Sequence, residues 1–333
     1  MEKKSLLKRF LSIRGMGQAI TAFAGLIVIY IAFGIINPTV FSMANVMNLL
    51  RSMSKYLLVG IGQSYVLITG NIDLSIGSVV GMSAMISATL MTNGVPILIA
   101  IVITLVCCLL VGVINGILVG KFKLPPFIAT LGTMFVARGV AYMVNGNRNT
   151  DAISSGIGQE AAERLQNFFY YGRTFGIFNT FLIAMALFVV FFFILSKTRT
   201  GRHIYAVGSN IEAAKLSGVN VQVTTTMAYL VSSLNAGVVG LILCAQAGMG
   251  NMEAGVMYEM YGVAAGVIGG ISPLGGTGIL LGALAGSAVW QTLENGLSMI
   301  GAQVGIQRVV IGVIVVFAVL LDVILRSGKK IKK

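Results

Sequence analysis

Residues 95–120, VPILIAIVITLVCCLLVGVINGILVG, form a predominantly apolar run without a single charged side chain. A helix needs about 20 such residues to cross the hydrocarbon core of a bilayer, so this run is long enough for a transmembrane span. Across the chain, 56% of the 333 residues are hydrophobic and only 10% are charged, against roughly 25% charged residues in soluble domains. The sequence therefore predicts an all-α polytopic membrane protein.

Outward from this run, the chain contains about ten apolar stretches of bilayer length. An even number of crossings returns the C-terminus to the side on which the chain begins. We expect a single transmembrane domain over residues 1–333, with spans near 17–37, 55–70, 75–92, 95–120, 125–144, 177–196, 224–246, 261–279, 280–299 and 304–325.

The charges indicate how these spans are oriented. The chain has 23 Lys and Arg against 10 Asp and Glu, a formal net charge of +13, and such an excess marks cytoplasmic loops in membrane proteins. The N-terminal segment 1–16, the C-terminus and the basic loop 197–222 are predicted to be cytoplasmic, and the charge-balanced loop 145–176 external. Arg51 and Lys55 are exceptions, because they are basic residues predicted on the outer side. Either their side chains reach the interface from an interfacial helix, or the first two spans are connected differently.

The sequence also contains an internal repeat. Gly70-Asn71-Ile72-Asp73 matches Gly250-Asn251-Met252-Glu253, and Asn115-Gly116 matches Asn295-Gly296, with one ungapped offset of 180 residues. Chance matching among 42 glycines is the alternative explanation. Five spans per copy would invert the second copy, so we expect two inverted five-helix repeats, an arrangement typical of transporters.

Polar residues at the repeat breaks and inside the spans are the candidates for a solute pathway. Asp73 is costly at membrane depth unless it finds partners. Asp73 or Ser75 could cap the helix that follows. Alternatively, Asp73 could couple transport to an ion or a proton. Amides inside spans could bind a polar, uncharged solute or join helices. The candidate pathway or gate residues are Asn71, Asp73, Ser75, Asn115, Glu253 and Asn295.

Several classes of function are excluded. The only histidine, His203, lies in a basic loop, so no catalytic residue and no histidine-dependent metal site are predicted. The three cysteines lie in apolar runs without metal-ligand spacing. No Gly-x-x-x-x-Gly-Lys-Ser/Thr phosphate-binding loop occurs, so any ATP dependence must come from a partner. Nucleic-acid binding is not expected, because the basic charge belongs to cytoplasmic loops.

The loop 197–222 predicts a short helix, Ile211–Ser217. Ser209 or Asn210 can accept its first backbone amides, while Glu212 and Lys215 complement its dipole. Gly218 is a suitable terminating residue. Such a helix could lie in the lipid headgroups or fit a groove on a cytoplasmic protein.

Five segments, in order along nearly the whole chain, resemble the permease subunits of bacterial ABC importers for ribose and related monosaccharides. The segments are ITGNIDLSIGS at 68–78, PFIATLG at 126–132, residues 200–221, residues 268–278 and NGL at 295–297.

The resemblance implies a dimer of permeases in the bacterial inner (plasma) membrane that imports a monosaccharide such as ribose. A periplasmic or lipid-anchored sugar-binding protein would deliver the solute. A cytoplasmic ATPase, binding ATP and Mg²⁺, would drive transport, so this chain would be no enzyme and would bind no cofactor. The residues implied to couple to the ATPase are Gly201, Glu212, Ala213, Ala214, Leu216 and Gly218.

Residues 256–261 depart from the sugar-permease pattern, because Tyr261 stands where an acid is expected. The solute class therefore stays open, and an ABC permease for nucleosides or inositol is an alternative. An ion-coupled secondary transporter of a polar solute and a membrane scaffold without transport are further alternatives.

Overall fold

The computed structural model describes residues 16–330, apart from the side chains of residues 315, 318, 319 and 321–330. The predicted N-terminal segment 1–16 lies outside the described residues except for Met16, and so do the last three residues of the basic tail. Within the described range the chain forms fourteen α-helices and one short pair of strands.

The first part of the chain contains five long helices. Their bounds are α1 Met16–Ile36, α2 Met43–Ile68, α3 Ile76–Thr92, α4 Ile97–Gly120 and α5 Pro126–Met143, with a 3₁₀ turn at Pro38–Phe41 between α1 and α2. A capping side chain or a proline marks the first residue of two of these helices. Ser42 Oγ accepts from the backbone of Asn45 at 3.2 Å, and Pro126 opens α5, where a missing N–H costs nothing.

A long connection joins α5 to the second half. It contains two short helices, a π-helical turn and a strand pair: α6 Ser154–Ile157, α7 Gln159–Gln166, the turn Asn167–Tyr171, β1 Arg173–Thr174 and β2 Ile177–Phe178. The strands are antiparallel, with Arg173 opposite Phe178 and Thr174 opposite Ile177.

The second half alternates long and short helices. Their bounds are α8 Asn179–Lys197, α9 Arg199–Ser209, α10 Ile211–Leu216, α11 Val221–Ala247, α12 Tyr258–Ile268, α13 Leu280–Met299 and α14 Val304–Lys330. We call the end of the bundle that carries residues 144–178 the loop end. The end that carries residues 198–220 is the short-helix end.

Five of the helices in residues 16–330 are long and apolar enough to cross a membrane: α1, α4, α5, α8 and α11. The prediction of an all-α polytopic membrane protein is confirmed. Two more long helices, α2 with 26 residues and α13 with 20, carry more polar side chains. Both lie largely inside the bundle, and residues 56–68 of α2 are all buried. Their polar groups therefore face other helices.

Two of the predicted spans are wrong in extent. The stretch 261–279 is not one span, because α12 has 11 residues, about 17 Å of helix. Gly269 and Gly270 end it, and Gly270 has φ +84°. The predicted span 55–70 begins earlier, at Met43. Arg51 and Lys55 therefore lie on a membrane-length helix, and the Arg51 guanidinium lies 4.2 Å from the ring centre of Phe178.

The helix pattern repeats with the offset found in the sequence. Adding 180 to the bounds of α2, α3, α4 and α5 gives 223–248, 256–272, 277–300 and 306–323, and helices α11, α12, α13 and α14 occupy those ranges. The same addition places α1 at 196–216, where two short helices lie instead. Four helices of the predicted five-helix unit therefore recur at this offset.

The second copy is inverted relative to the first. Lys55 of α2 bonds to Gln246 of α11, while Gly62 lies against Ser232, so these equivalent helices run antiparallel. Helix α8 adds the extra crossing between the copies. The two interrupted segments, residues 69–75 and 248–257, precede the equivalent helices α3 and α12.

Glycines allow the inner helices to approach closely. A Cβ atom added at Gly116 of α4 would lie 2.5 Å from the Cα of Thr226 in α11, closer than packed atoms can come. The small-residue spacing at Gly112, Gly116 and Gly120 thus packs helices, as is common for helices in lipid.

Candidate functional site

The first interrupted segment surrounds a fully buried carboxylate, Asp73. Its Oδ1 accepts hydrogen bonds from the backbone N of Ser75 at 2.9 Å and from Ser75 Oγ at 2.6 Å. Its Oδ2 accepts from Ser232 Oγ of α11 at 2.6 Å. Asp73 therefore holds the start of α3 against α11.

The hydrogen bonds continue from Ser75 into two further helices. Asn115 Nδ2 of α4 donates to Ser75 Oγ at 2.9 Å, and Thr133 Oγ1 of α5 donates to Asn115 Oδ1 at 2.7 Å. Three of the predicted residues, Asp73, Ser75 and Asn115, thus belong to one buried network. Asn71 lies beside it, donating to Thr69 Oγ1 at 2.8 Å.

The partners of Asp73 match a capping role. All the side-chain donors bonded to it are hydroxyls, and the only ion pairs in the described part of the chain are two exposed pairs elsewhere. A buried carboxylate is tolerated when donors occupy its lone pairs, and a helix N-terminus adds a favourable dipole. With its amide oriented to satisfy both groups, Gln63 also bonds the backbone N and O of Asp73.

Glu253, in the second interrupted segment, lies apart from this network. It is exposed and accepts from Tyr142 Oη at 2.8 Å. The same segment is held by Arg138 of α5, whose Nη1 donates to the carbonyls of Met252 and Ala254, both at 2.9 Å. The two acids of the repeat therefore have different surroundings.

Asn295 lies near the loop end. Its amide and the amide of Asn45 exchange two hydrogen bonds, of 3.1 and 3.0 Å, which join α13 to α2. Asn115, its equivalent in the first repeat, bonds Ser75 and Thr133 instead. The structure thus separates Asn295 from the Asp73 network.

Two cavities with charged side chains in their lining lie at the loop end of the bundle. One, of about 290 Å³, lies between α2 and α13 and is lined by Ser52, Lys55, Tyr56, Gln291, Glu294, Asn295 and Ser298. A neighbouring cavity of about 390 Å³ shares Lys55 and includes Glu253. A further cavity, of about 770 Å³, lies at the short-helix end and is mostly apolar. None of the Asp73 network residues lines it.

At the short-helix end the predicted helix is present as Ile211–Leu216. Asn210 Oδ1 accepts from the backbone of Ala213 at 2.9 Å, and Gly218, with φ +80°, follows the helix. Lys215 Nζ donates to Glu212 Oε1 at 2.7 Å. This hydrogen bond, aided by the positive charges of Lys215 and Lys123, lowers the pKa of the Glu212 carboxyl, which therefore stays ionised at neutral pH.

The apolar side chains of α10 divide into two groups. Ala214 is buried against the bundle, whereas Leu216 is 91% exposed and Ile211 is 46% exposed. Gly201 is buried in α9, where an added Cβ would overlap the carbonyl of Leu195. Among the predicted coupling residues, Gly201 and Ala214 are therefore buried, whereas Leu216 is exposed.

Comparison with known proteins places this architecture in a family. Residues 45–319 match the family model described as branched-chain amino acid transport system / permease component. The chain belongs to this family of permeases. It is 34% identical over 308 residues to the ribose import permease protein RbsC of Bacillus subtilis (strain 168), covering 92% of this chain and 94% of that relative.

Other relatives are similarly close. The permease is 32% identical over 297 residues to the ribose import permease protein RbsC of Escherichia coli (strain K12), covering 89% of this chain and 91% of the relative. It is 34% identical over 307 residues to the galactose/methyl galactoside import permease protein MglC of the same strain, covering 88% and 90%. No solved structure matches the chain.

Sequence reasoning missed several contacts in this permease. Ser232 and Thr133 complete the Asp73 network but are ordinary small polar residues of apolar spans. Arg138 was detectable, since it is a lone guanidinium inside the predicted span 125–144, and intramembrane charges are commonly functional or structural.

Proposed function

We propose that this permease is the membrane-spanning subunit of an ATP-driven importer for a monosaccharide such as ribose. The observation that carries the proposal is the full-length similarity to the ribose import permease protein of Bacillus subtilis, 34% identity over 92% of the chain. The structure is compatible with that role, since it provides two inverted helix repeats with interrupted segments between packed helices.

An ATPase partner is part of the proposal. The chain has no phosphate-binding loop, so ATP and Mg²⁺ would bind a separate cytoplasmic subunit. Helix α10 is suited to dock there, because Leu216 and Ile211 are exposed beside the charged pair Glu212–Lys215. ATP binding would then shift the permease between inward- and outward-facing populations.

The orientation follows from the charges. Lys197, Arg199, Arg202 and Lys215 lie at or next to the short-helix end, and basic residues favour the cytoplasmic side. The loop end would face outward and receive sugar from a periplasmic or lipid-anchored binding protein. Both termini would then be cytoplasmic, in a bacterial inner membrane, and a second copy of the permease would complete the pathway.

Co-purification tests the partnership. We expect the permease, expressed with its neighbouring genes and extracted in mild detergent, to retain an ATPase and to stimulate its hydrolysis when a sugar-loaded binding protein is added. The test sugars are D-ribose and D-galactose, with inositol, a nucleoside and L-leucine as alternatives. A permease that purifies as a functional transporter without any ATPase would contradict the proposal.

A further inference from the structure

The cavity of about 290 Å³ between α2 and α13 lies near the loop end and combines charged, amide and aromatic side chains. Its position follows from two contacts: Lys55 Nζ donates to Gln246 Oε1 at 3.1 Å, and Tyr171 Oη of the long connection donates to the carbonyl of Gln246 at 2.9 Å. Small-molecule sites start at about 300 Å³, so this cavity matches the smallest class of solutes.

Two buried polar atoms beside this cavity have no hydrogen-bond partner among the described residues. They are Gln291 Oε1 and Trp290 Nε1. The two side chains are only 6% and 8% exposed. Gln291 lines the cavity, and Trp290 lines an adjoining cavity of about 370 Å³ that shares Glu294. Most buried polar groups in proteins are paired, so the unpaired acceptor of Gln291 and the unpaired donor of Trp290 are available to a ligand, one at each of these two adjoining cavities.

The charged groups of the cavity are also incompletely paired. Lys55 and Glu294 both line it, yet they do not form one of the ion pairs of the described residues. Glu294 Oε2 accepts one hydrogen bond, from Tyr56 Oη at 2.8 Å, and an ammonium group has three donors. The cavity therefore presents both donors and acceptors. A hydroxyl group, which donates and accepts, fits either.

Aromatic rings form the adjoining wall. The ring centres of Tyr56 and Tyr261 lie 5.3 Å apart, and those of Tyr261 and Trp290 lie 5.0 Å apart. Rings combine a large apolar face with a polar edge, and the C–H faces of a sugar ring pack on such surfaces. Tyr261 is the residue that departs from the sugar-permease pattern, and here it belongs to the aromatic wall.

The two adjoining cavities, of about 290 and 370 Å³, share Glu294, and we call them together the cleft. We propose that this cleft is a contact site for the transported solute and that it binds a neutral, polyhydroxylated ring of monosaccharide size. Gln291 and Glu294 accept hydrogen bonds from its hydroxyls, Lys55 donates, and Trp290 supplies both an N–H and an apolar face. The balanced charges of Lys55 and Glu294 disfavour a solute with net charge. The sugar assignment rests on the proposed function, whereas the cleft rests on its own contacts.

The test uses a property of the sequence: Trp290 is the only tryptophan of the chain, so its fluorescence reports on the cleft directly. The full-length permease in lipid nanodiscs is titrated with D-ribose, D-galactose and L-leucine. We expect a saturable change of tryptophan fluorescence with at least one of the sugars and none with leucine. A response to leucine alone, whose zwitterion could bridge Lys55 and Glu294, or no response at all, overturns the proposal.

Three variants make the test specific. Glu294→Gln and Gln291→Leu are expected to raise the apparent dissociation constant for the sugar at least tenfold. The matched control Glu163→Gln, at an exposed position of α7, is expected to leave it unchanged. Gln291→Leu is also expected to retain the melting temperature, since it removes an unpaired buried oxygen. Unchanged binding in a folded Gln291→Leu variant contradicts the assignment.

Parallel uptake measurements separate this inference from the proposed function. The wild type, Glu294→Gln and Gln291→Leu are compared in ATP-dependent sugar uptake. If all three have the same half-saturation concentration, the proposed role of the cleft in solute binding is overturned, and the ATP-driven function is not. Sugar binding that depends on these residues, in a permease whose uptake needs no ATPase, supports the cleft and overturns the ATP-driven role.

Discussion

At the scale of single residues, Asp73 illustrates how a carboxylate is accommodated inside an apolar bundle. Hydroxyl and backbone donors surround it on both oxygens, and the chain of bonds continues to Asn115 and Thr133. Such a network is stabilising only when every member is satisfied. Asp73 is therefore expected to contribute to the stability of the permease rather than to carry ions.

Asp73→Ala is expected to lower the free energy of unfolding by about 1–3 kcal/mol for each buried donor left without an acceptor. Its melting temperature in detergent should fall well below that of the wild type. Asn71→Ala is the control, because the Asn71 side chain donates a local hydrogen bond, to Thr69 Oγ1, and lies outside the Asp73 network. If Asp73→Ala melts like the wild type, the network does not stabilise the fold.

Asp73→Asn distinguishes the capping role from ion coupling. The amide keeps one acceptor oxygen for Ser75 and loses the charge, so the permease is expected to fold and to retain ATP-driven uptake. Uptake is compared in vesicles with and without an ion gradient. A folded Asp73→Asn variant that loses all transport would favour proton or ion coupling through this carboxylate.

At the scale of helices, hydropathy predicted where most elements lie and failed where the chain breaks. The run 261–279 contains no charged residue, yet Gly269 and Gly270 end α12 after 11 residues, because hydropathy does not measure backbone preference. Asp73, Ser75 and Asn115 were identifiable as polar residues in apolar surroundings. Their partner Ser232 was not, since it comes 159 residues after Asp73 and only folding brings it near.

Close helix packing gives a prediction for two glycines. Gly116→Ala is expected to destabilise the permease by about 1–3 kcal/mol, the usual cost of overpacking, because the new methyl group meets the backbone of Thr226. Gly132→Ala in α5 is the matched control, since nothing lies within 4 Å of its added Cβ. Thermal melting of both variants in one detergent measures the difference; equal melting temperatures would disprove the tight contact.

Helix α10 gives a prediction about partner binding. Leu216→Ser should leave the melting temperature unchanged, because Leu216 is 91% exposed, but should weaken ATPase binding at least tenfold if its side chain is an anchor of the interface. The control is Phe175→Ser, a 96% exposed aromatic residue at the opposite end. ATPase retained on affinity-tagged permease provides the readout. If the Leu216→Ser variant retains as much ATPase as the wild type, Leu216 of α10 is not an anchor of the interface.

At the scale of the whole molecule, the inverted repeat explains why similar sequence motifs have different partners. Asn115 joins a buried network, whereas Asn295 pairs with Asn45 near the loop end. The two halves place equivalent residues toward opposite ends of the bundle. Both halves nevertheless contribute to each site, since Ser232 of α11 completes the Asp73 network and Lys55 and Tyr56 of α2 line the cleft.

The distribution of basic residues predicts on which side of the membrane each end of the bundle lies. Leu216→Cys is expected to react with a membrane-impermeant maleimide only from the cytoplasmic side, and Phe175→Cys only from outside. The native Cys108 and Cys244 are buried, whereas Cys107 is half-buried, so both variants are made in a Cys107→Ser background. Labelling of both variants from the same side would contradict the proposed topology.

The most direct test of the central claim is sugar uptake by proteoliposomes that contain the permease, its ATPase and a sugar-loaded binding protein. We predict uptake of a monosaccharide that requires ATP hydrolysis and continues when ionophores abolish all ion gradients. Uptake that persists without the ATPase and stops with ionophores would contradict the account and identify an ion-coupled transporter.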